Sequence, residues 1–235
     1  MDTLDALRFA RALIDIDSTT GQEKAAGEWL AARLEALGYT VARQPVIGDR
    51  FNVIATLDEP VVVLSTHYDC VPPFFPSRIA DKKLYGRGAC DAKGILAAQV
   101  AAAQRLRADG RRRVGLLFVV GEERGSEGAV AANAAPIGSR LLVNGEPTDS
   151  RLATGTRGIL RVTLKARGRA GHSSAPEHFE SAIEKLVDAL VRLRELDLPS
   201  NPTFGRTSYS VGLIEGGVAP NVVPARAQAE VMFRT

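Results

Sequence analysis

Six acidic or imidazole side chains stand at the ends of short apolar stretches, where together they can hold divalent cations. His67 and Asp69 close the stretch VVVLSTHYDCVP, and Asp91 lies in GRGACDAKG. Glu122 and Glu123 follow LLFVV in GEERG, and Glu146 follows LLVN in GEPT. Carboxylate oxygen and neutral imidazole nitrogen are the donors that hard and borderline divalent ions take. If the apolar stretches are strands of an open α/β sheet, the six residues gather in the crevice beyond the strands' carboxyl ends.

Each residue type suits a particular role. Asp69, two residues after His67, can hold the second ring nitrogen, which fixes the tautomer and raises the basicity of the ligating nitrogen. Asp91 precedes a helix, so it either caps that helix or, with glycines admitting close backbone approach, bridges two ions. A phosphate loop is excluded, because G-x-x-x-x-G-K-[ST] is absent: Lys93 precedes Gly94 and no hydroxyl follows. Adjacent glutamates in an extended segment point opposite ways, so one of Glu122 and Glu123 can ligate metal while the other faces a water as general base. Burying both without a cation would be costly. Glu146 repeats the strand-end pattern.

The elements that must position these residues are legible as periodicities. Segments 51–57, 61–66, 114–120 and 140–144 read as strands, and the last three are nearly continuous Val, Leu and Phe, as in sheets covered on both faces. Helices are expected at 94–106 and 126–135. Thr20 and Glu23 have capping-box spacing ahead of a helix with Ala26, Leu30, Leu34 and Leu37 on one face, stopped by Gly38. Leu4, Leu7, Ala10, Leu13 and Ile14 recur at helical spacing near the N-terminus. The expected fold class is α/β over residues 1–154: a mostly parallel central sheet with helices on both faces.

From about residue 155 the pattern changes. Leu160, Val162, Leu164 and Ala166 alternate with Arg161, Thr163, Lys165 and Arg167, marking a sheet with one wet face. A helix with Ile183, Leu186, Val187, Leu190 and Leu193 in one stripe follows, then alternating strands around Tyr209–Leu213 and Ala225–Phe233. The order β-α-β-β is the first two-thirds of a ferredoxin-like unit, so residues 155–235 are expected to form an α+β domain. The pattern stops in mid-strand at Thr235, and the stretch is expected to be truncated within this second domain.

Composition narrows the function classes. Thirty basic residues against 27 acidic leave a net charge of +3. Arg111, Arg112 and Arg113 have no aromatic interleaving or second basic cluster beside them, so nucleic-acid binding is set aside. The N-terminus lacks the basic region and continuous apolar core of a signal peptide, and no apolar run nears the roughly 18 residues of a membrane span. Cys70 and Cys90 adjoin ligand motifs but read as small buried free thiols of a reducing cytoplasm.

The ordered motifs HYDCVP, GRGACDAKG, GEERG, GEPT, GHSSAP and NVVP resemble, over nearly the whole chain, the co-catalytic zinc amidohydrolases. That family includes acetylornithine deacetylase, succinyl-diaminopimelate desuccinylase, aminoacylase and glutamate carboxypeptidase. The resemblance implies that His67 and Glu146 hold one Zn2+ and that Asp91 bridges to a second held by Glu123, with Co2+ or Mn2+ as possible substitutes. It implies that Glu122 is the general base, that Asp69 supports His67, and that the peptide after Asp91 is cis. His172 in GHSSAP would be a lid-domain histidine that stabilises the oxyanion, commonly in the partner subunit's site. Asn221 in NVVP would lie near the substrate, and His178 would carry no role. The implied reaction is hydrolysis of an amide in an N-acyl amino acid or dipeptide by a metal-bound water, in a homodimer joined through the lid.

One departure shapes the expectation. The family's second zinc also takes a histidine near the C-terminus, whereas this chain has only His67, His172 and His178. The stretch is therefore expected to bind one ion better than the other and to be a poor enzyme alone. The alternative is a catalytically incompetent fragment or a non-catalytic dimerising homologue, against which the retained Glu122 and His172 argue. A metallo-aminopeptidase of related fold is disfavoured by GHSSAP and the lid strands. Arg206 and Arg226 read as solvated strand arginines rather than ligands for a substrate carboxylate.

Overall fold

Leu116, Phe118 and Val120 pack on one side of a sheet and Leu117 and Val119 on the other, which is why the run 114–120 is continuously apolar. The computed structural model describes residues 5–235, so Leu4 of the N-terminal pattern lies outside the described residues. The chain divides into two units, Met1–Arg151 and Leu152–Thr235.

The first unit runs α1 (Ala6–Ile14), α2 (Lys24–Ala36), β1 (Thr40–Ile47), β2 (Arg50–Thr56), β3 (Val62–His67), a small hairpin of β4 (Arg78–Ala80) and β5 (Lys83–Tyr85), α3 (Lys93–Ala108), β6 (Val114–Val119), α4 (Glu127–Ala134) and β7 (Leu141–Asn144). The five-stranded sheet has the order β1-β2-β6-β3-β7. β3 is parallel to both β6 and β7, while β2 pairs antiparallel with β1 and β6. The three strands that lead into His67, Glu122–Glu123 and Glu146 therefore end at one edge. β1 was not expected: TVARQPVI is broken by Arg43 and Pro45, and its pairing with β2 makes it a strand.

Helices α1, α2 and α3 bury Leu13, Ile14, Leu30, Leu34, Leu96 and Val100 against Val53, Leu116 and Phe118. On the opposite face Val63, Leu117 and Val119 pack with Ile54, Ala132 and Ile137. Asp5 caps α1, its side chain accepting the Arg8 N–H at 3.0 Å. Gly38, at φ +85°, ends α2 as expected. Gly27 lies where α2 meets the sheet, and a Cβ there would stand 2.6 Å from Tyr68 Oη. β7 departs from expectation. Leu141, Leu142 and Val143 are 62, 58 and 52% exposed, because β7 is an edge strand paired only to β3 and no described element covers it.

The second unit contains β8 (Ile159–Arg167), β9 (Gly171–His172), α5 (Ala182–Arg194), a short hairpin of β10 (Ser200–Asn201) and β11 (Gly205–Arg206), β12 (Ser208–Gly216), β13 (Val222–Val223) and β14 (Arg226–Arg234). An antiparallel sheet of order β12-β14-β8 carries α5 on one face. Ala182, Leu186 and Leu190 pack on Leu164, Ala166, Ala227 and Ala229. The stripe read from the sequence is wider than the buried one, for Ile183 and Val187 are 39 and 50% exposed. No helix among the described residues is long and apolar enough to cross a membrane.

Candidate metal centre

At the carboxyl edge of the parallel strands, His67, Asp91 and Glu123 each aim one donor atom into a space where all three lie within 4.8 Å of one another. His67 Nε2 is 2.9 Å from Asp91 Oδ1 and 3.9 Å from Glu146 Oε2. The ring is 1% exposed, whereas the Asp91 and Glu146 side chains are 50 and 37% exposed, so the imidazole is the fixed floor of an open site. Asp91 does not cap α3: Ala92 occupies that position, without a side-chain bond. The Asp91–Ala92 peptide is cis, as the resemblance implied.

Asp69 organises the floor. It has no exposed surface, and its carboxylate accepts the Thr20 hydroxyl at 2.8 Å and the backbone N–H groups of Glu122 and Glu123 at 3.0 and 3.2 Å. His67 Nδ1 lies 3.1 Å from the Asp69 carbonyl and 3.4 Å from its carboxylate. The ring is thus held by both the main chain and the side chain of one residue. A buried carboxylate without such partners would cost several kcal/mol. Burial pushes the Asp69 carboxyl up, and the bonds from His67, Thr20 and the Glu122 N–H pull it below the ordinary range.

Glu122 and Glu123 are not extended. They open a 3-10 turn, Glu122–Arg124, launched by Gly121 at φ +68°, because Asp69 gathers both N–H groups to one point. The two side chains nevertheless separate. Glu122 lines a cavity of about 700 Å3 with His67 and Glu146. Glu123 lines a smaller one of about 160 Å3 with Asp91 and Cys90.

The donor set suits a divalent ion. Among the described residues, none of Asp91, Glu122, Glu123 and Glu146 pairs with lysine or arginine, and His67 is the one basic group among them. Burial and neighbouring carboxylates raise Glu123, and burial raises Glu146, in each case against the pull of His67. Burial lowers the His67 pKa, but the Asp69 bond and the surrounding carboxylates outweigh it and lift the ring to about 9. Raised from 6.5, this group stabilises the metal-free fold below pH 6.5, and that contribution is lost as pH rises through about 9. An ion must displace the proton. Zn2+ affinity is expected to rise about tenfold per pH unit up to roughly pH 9 and then to level. Metal titration between pH 7 and 9 checks this, and a flat profile would show that binding releases no proton from His67 over that range.

Two other expectations change, and one residue was not anticipated. Thr20 and Glu23 form no capping box: the Thr20 hydroxyl goes to Asp69, and Glu23 turns inward to Arg50 without capping α2. Cys70 is buried but Cys90 is exposed, and both are free. Arg50 was missed by the sequence reading. Its side chain is 12% exposed and bound to the buried carboxylate of Glu23.

In the second unit, β9 and β13 pair His172 with Val222, and the Ser173 N–H donates to the Asn221 carbonyl at 3.1 Å. His172 and Asn221 therefore share one corner. His172 Nδ1 accepts the Ser174 N–H at 3.2 Å and faces Ser174 Oγ at 2.8 Å. Since a backbone N–H can only donate, the ring proton of neutral His172 sits on Nε2. His178 is exposed, its side chain 72% accessible.

Residues 154–235 match the family model for the peptidase dimerisation domain, and residues 52–152 match that for peptidase family M28. A probable carboxypeptidase of Aspergillus clavatus is 42% identical over 97% of the chain and 57% of its own length. A peptidase M20 domain-containing protein of Schizosaccharomyces pombe is 39% identical over 95% of the chain and 58% of its own length. The chain thus spans about three-fifths of the length of these curated relatives. Among solved structures, an M20 family metallo-carboxypeptidase from Sulfolobus solfataricus superposes with a TM-score of 0.77 at 19% identity, covering 100% of the chain and 71% of that protein. A tripeptidase from Staphylococcus aureus gives 0.76 at 23% identity, covering 100 and 67%.

Proposed function

We propose that the chain belongs to the M20 metallopeptidases, the co-catalytic amidohydrolases and peptidases its motifs resemble, and that the full-length product of its gene hydrolyses an amide bond in a small peptide or N-acyl amino acid. The observation that carries the reading is the convergence of His67, Asp91 and Glu123 donor atoms beside a glutamate pair held by a buried aspartate. The relatives named as carboxypeptidases favour the peptide side of that substrate class.

In this reading residues 1–154 belong to the catalytic domain and residues 155–235 to a lid through which two copies dimerise. His67 and Glu146 would hold one ion and Glu123 a second, with Asp91 as a ligand available to both. Zinc is the ion proposed, with Co2+ or Mn2+ able to substitute. Bound there, it supplies Lewis acidity for the carbonyl and a lowered pKa for water. Glu122 removes the proton of the attacking water and delivers it to the leaving amine. Asp69 keeps His67 in register and fixes the backbone of the base. In such a dimer, His172 of one copy would present its Nε2–H to the oxygen on which charge develops in the other copy's site. The free thiols Cys70 and Cys90 accord with a cytoplasmic protein.

The test is hydrolysis by the full-length product of a panel of dipeptides, tripeptides and N-acetyl or N-succinyl amino acids. Release of free amino acid is expected, abolished by a chelator and restored by Zn2+. A folded, zinc-loaded dimer that cleaves none of the panel would refute the proposal.

A further inference from the structure

Beneath the turn that carries Glu122 and Glu123 lies a buried ion pair that the reaction as described does not use. Glu23 has no exposed surface, and its carboxylate takes Arg50 as a fork: Oε1 to Nη2 at 2.7 Å and Oε2 to Nε at 2.9 Å. Glu23 Oε2 also accepts the Gly21 N–H at 2.7 Å. Gly21 adjoins Thr20, whose hydroxyl donates to Asp69, and Asp69 in turn accepts the N–H groups of Glu122 and Glu123.

The other side of the Arg50 guanidinium closes the circuit. A Cβ on Gly121 would lie 2.6 Å from Arg50 Nη2 and 2.2 Å from Glu127 Oε2, so both side chains bear on the backbone one residue before Glu122. Arg50 Nη2 stands 3.9 Å from Glu127 Oε2, an oxygen that is buried and has no hydrogen-bond partner among the described residues. A Cβ on Gly125 would meet Glu127 at 3.0 Å, so the Glu127 carboxylate underlies both ends of the turn. The contacts run from Arg50 through Glu23, the Thr20–Gly21 loop and Asp69 to the turn, and back from Gly121 to Arg50.

A buried ion pair adds little stability beyond what apolar residues of the same volume give. Its rigid, bidentate geometry is suited instead to fixing a position. We propose that Arg50 is a positioning residue for the reaction: it braces the turn at Gly121 while Asp69 holds the N–H groups of Glu122 and Glu123, setting where the two glutamates stand. This rests on the amide-hydrolase reading for the role of Glu122, but not for the placement of Glu123.

The test is Arg50→Lys in the full-length product, which keeps the charge and removes the fork. Substituting an outer partner of a metal site typically lowers metal affinity or activity by about 10- to 100-fold. Accordingly kcat should fall by about 10- to 100-fold with KM within about twofold, and the Zn2+ that Glu123 would hold should lose about tenfold in affinity while the other is unchanged. Zn2+ affinities are read by chelator competition and folding by thermal melting. A variant that melts cooperatively above assay temperature with wild-type kcat and both affinities intact overturns the proposal. So does a kcat that falls only in proportion to the fraction of folded protein, which marks a merely structural pair. Should Arg50→Lys not fold, Glu127→Gln, whose side chain is 41% exposed, is expected to show the same split, and unchanged values there overturn the proposal. If the wild-type product cleaves nothing on the panel, the hydrolase reading fails separately, and the affinity of the ion that Glu123 would hold alone decides the role of Arg50.

Discussion

Glu122→Gln in the full-length product is expected to keep its metal complement and lose about 100- to 10,000-fold in kcat, the range that a positioned general base contributes. The amide has nearly the shape of the carboxylate, so the turn and its N–H bonds to Asp69 remain. What disappears is the one group in the larger cavity that can accept a proton without being committed to holding an ion. Glu146 lines the same cavity but stands 3.9 Å from His67 Nε2, within the proposed ligand set. Elemental analysis should return the wild-type metal content beside the lost turnover. Turnover within a few-fold of wild type would end the assignment of Glu122, and loss of metal would move Glu122 into the ligand set.

A second substitution should have a broader effect. Asp91→Ala is expected to reduce both metal content and turnover, by more than the roughly 10- to 100-fold that changing an outer partner typically costs. Asp91 Oδ1 is the carboxylate oxygen nearest His67 Nε2, at 2.9 Å, and the same side chain belongs to the cluster that includes Glu123. Removing it opens both halves of the proposed pair at once, whereas Glu146→Ala and Glu123→Ala should each weaken one ion. Metal titration of the three variants separates these outcomes. If Asp91→Ala bound two ions with wild-type affinity, the bridging role would be gone.

Much of this centre can be read from the chain itself. His67, Glu122, Glu123 and Glu146 are legible because each ends or follows an apolar stretch, and parallel pairing of β3 with β6 and β7 brings those ends together, while Asp91 is legible from its glycine-flanked place just before a helix. What the sequence hides are long-range choices among partners. Thr20 and Glu23 have the spacing of a local cap, but the Thr20 hydroxyl has a buried carboxylate 49 residues away to satisfy. Glu23 likewise meets Arg50, 27 residues on. Local spacing cannot say which partner wins, and burial decides it in favour of the distant one. The glutamate pair fails as an extended segment for a related reason, since two N–H groups converging on Asp69 demand a turn. The continuous apolar run of β7 predicts burial on both faces, yet the strand lies at a sheet edge, and position in the sheet order is set by pairing rather than by its own residues.

Asp69 also bears on which ions this centre can use. It touches the ring of His67 and the two N–H groups of the glutamate turn with one carboxylate. The proposed ligand and the proposed proton acceptor therefore hang from a single joint. An ion of a different radius would draw the imidazole to a different depth, and the joint would carry part of that displacement to the turn. Substituting metals should thus separate occupancy from speed: several ions can fill the site, but only those near one size leave the base where it is needed.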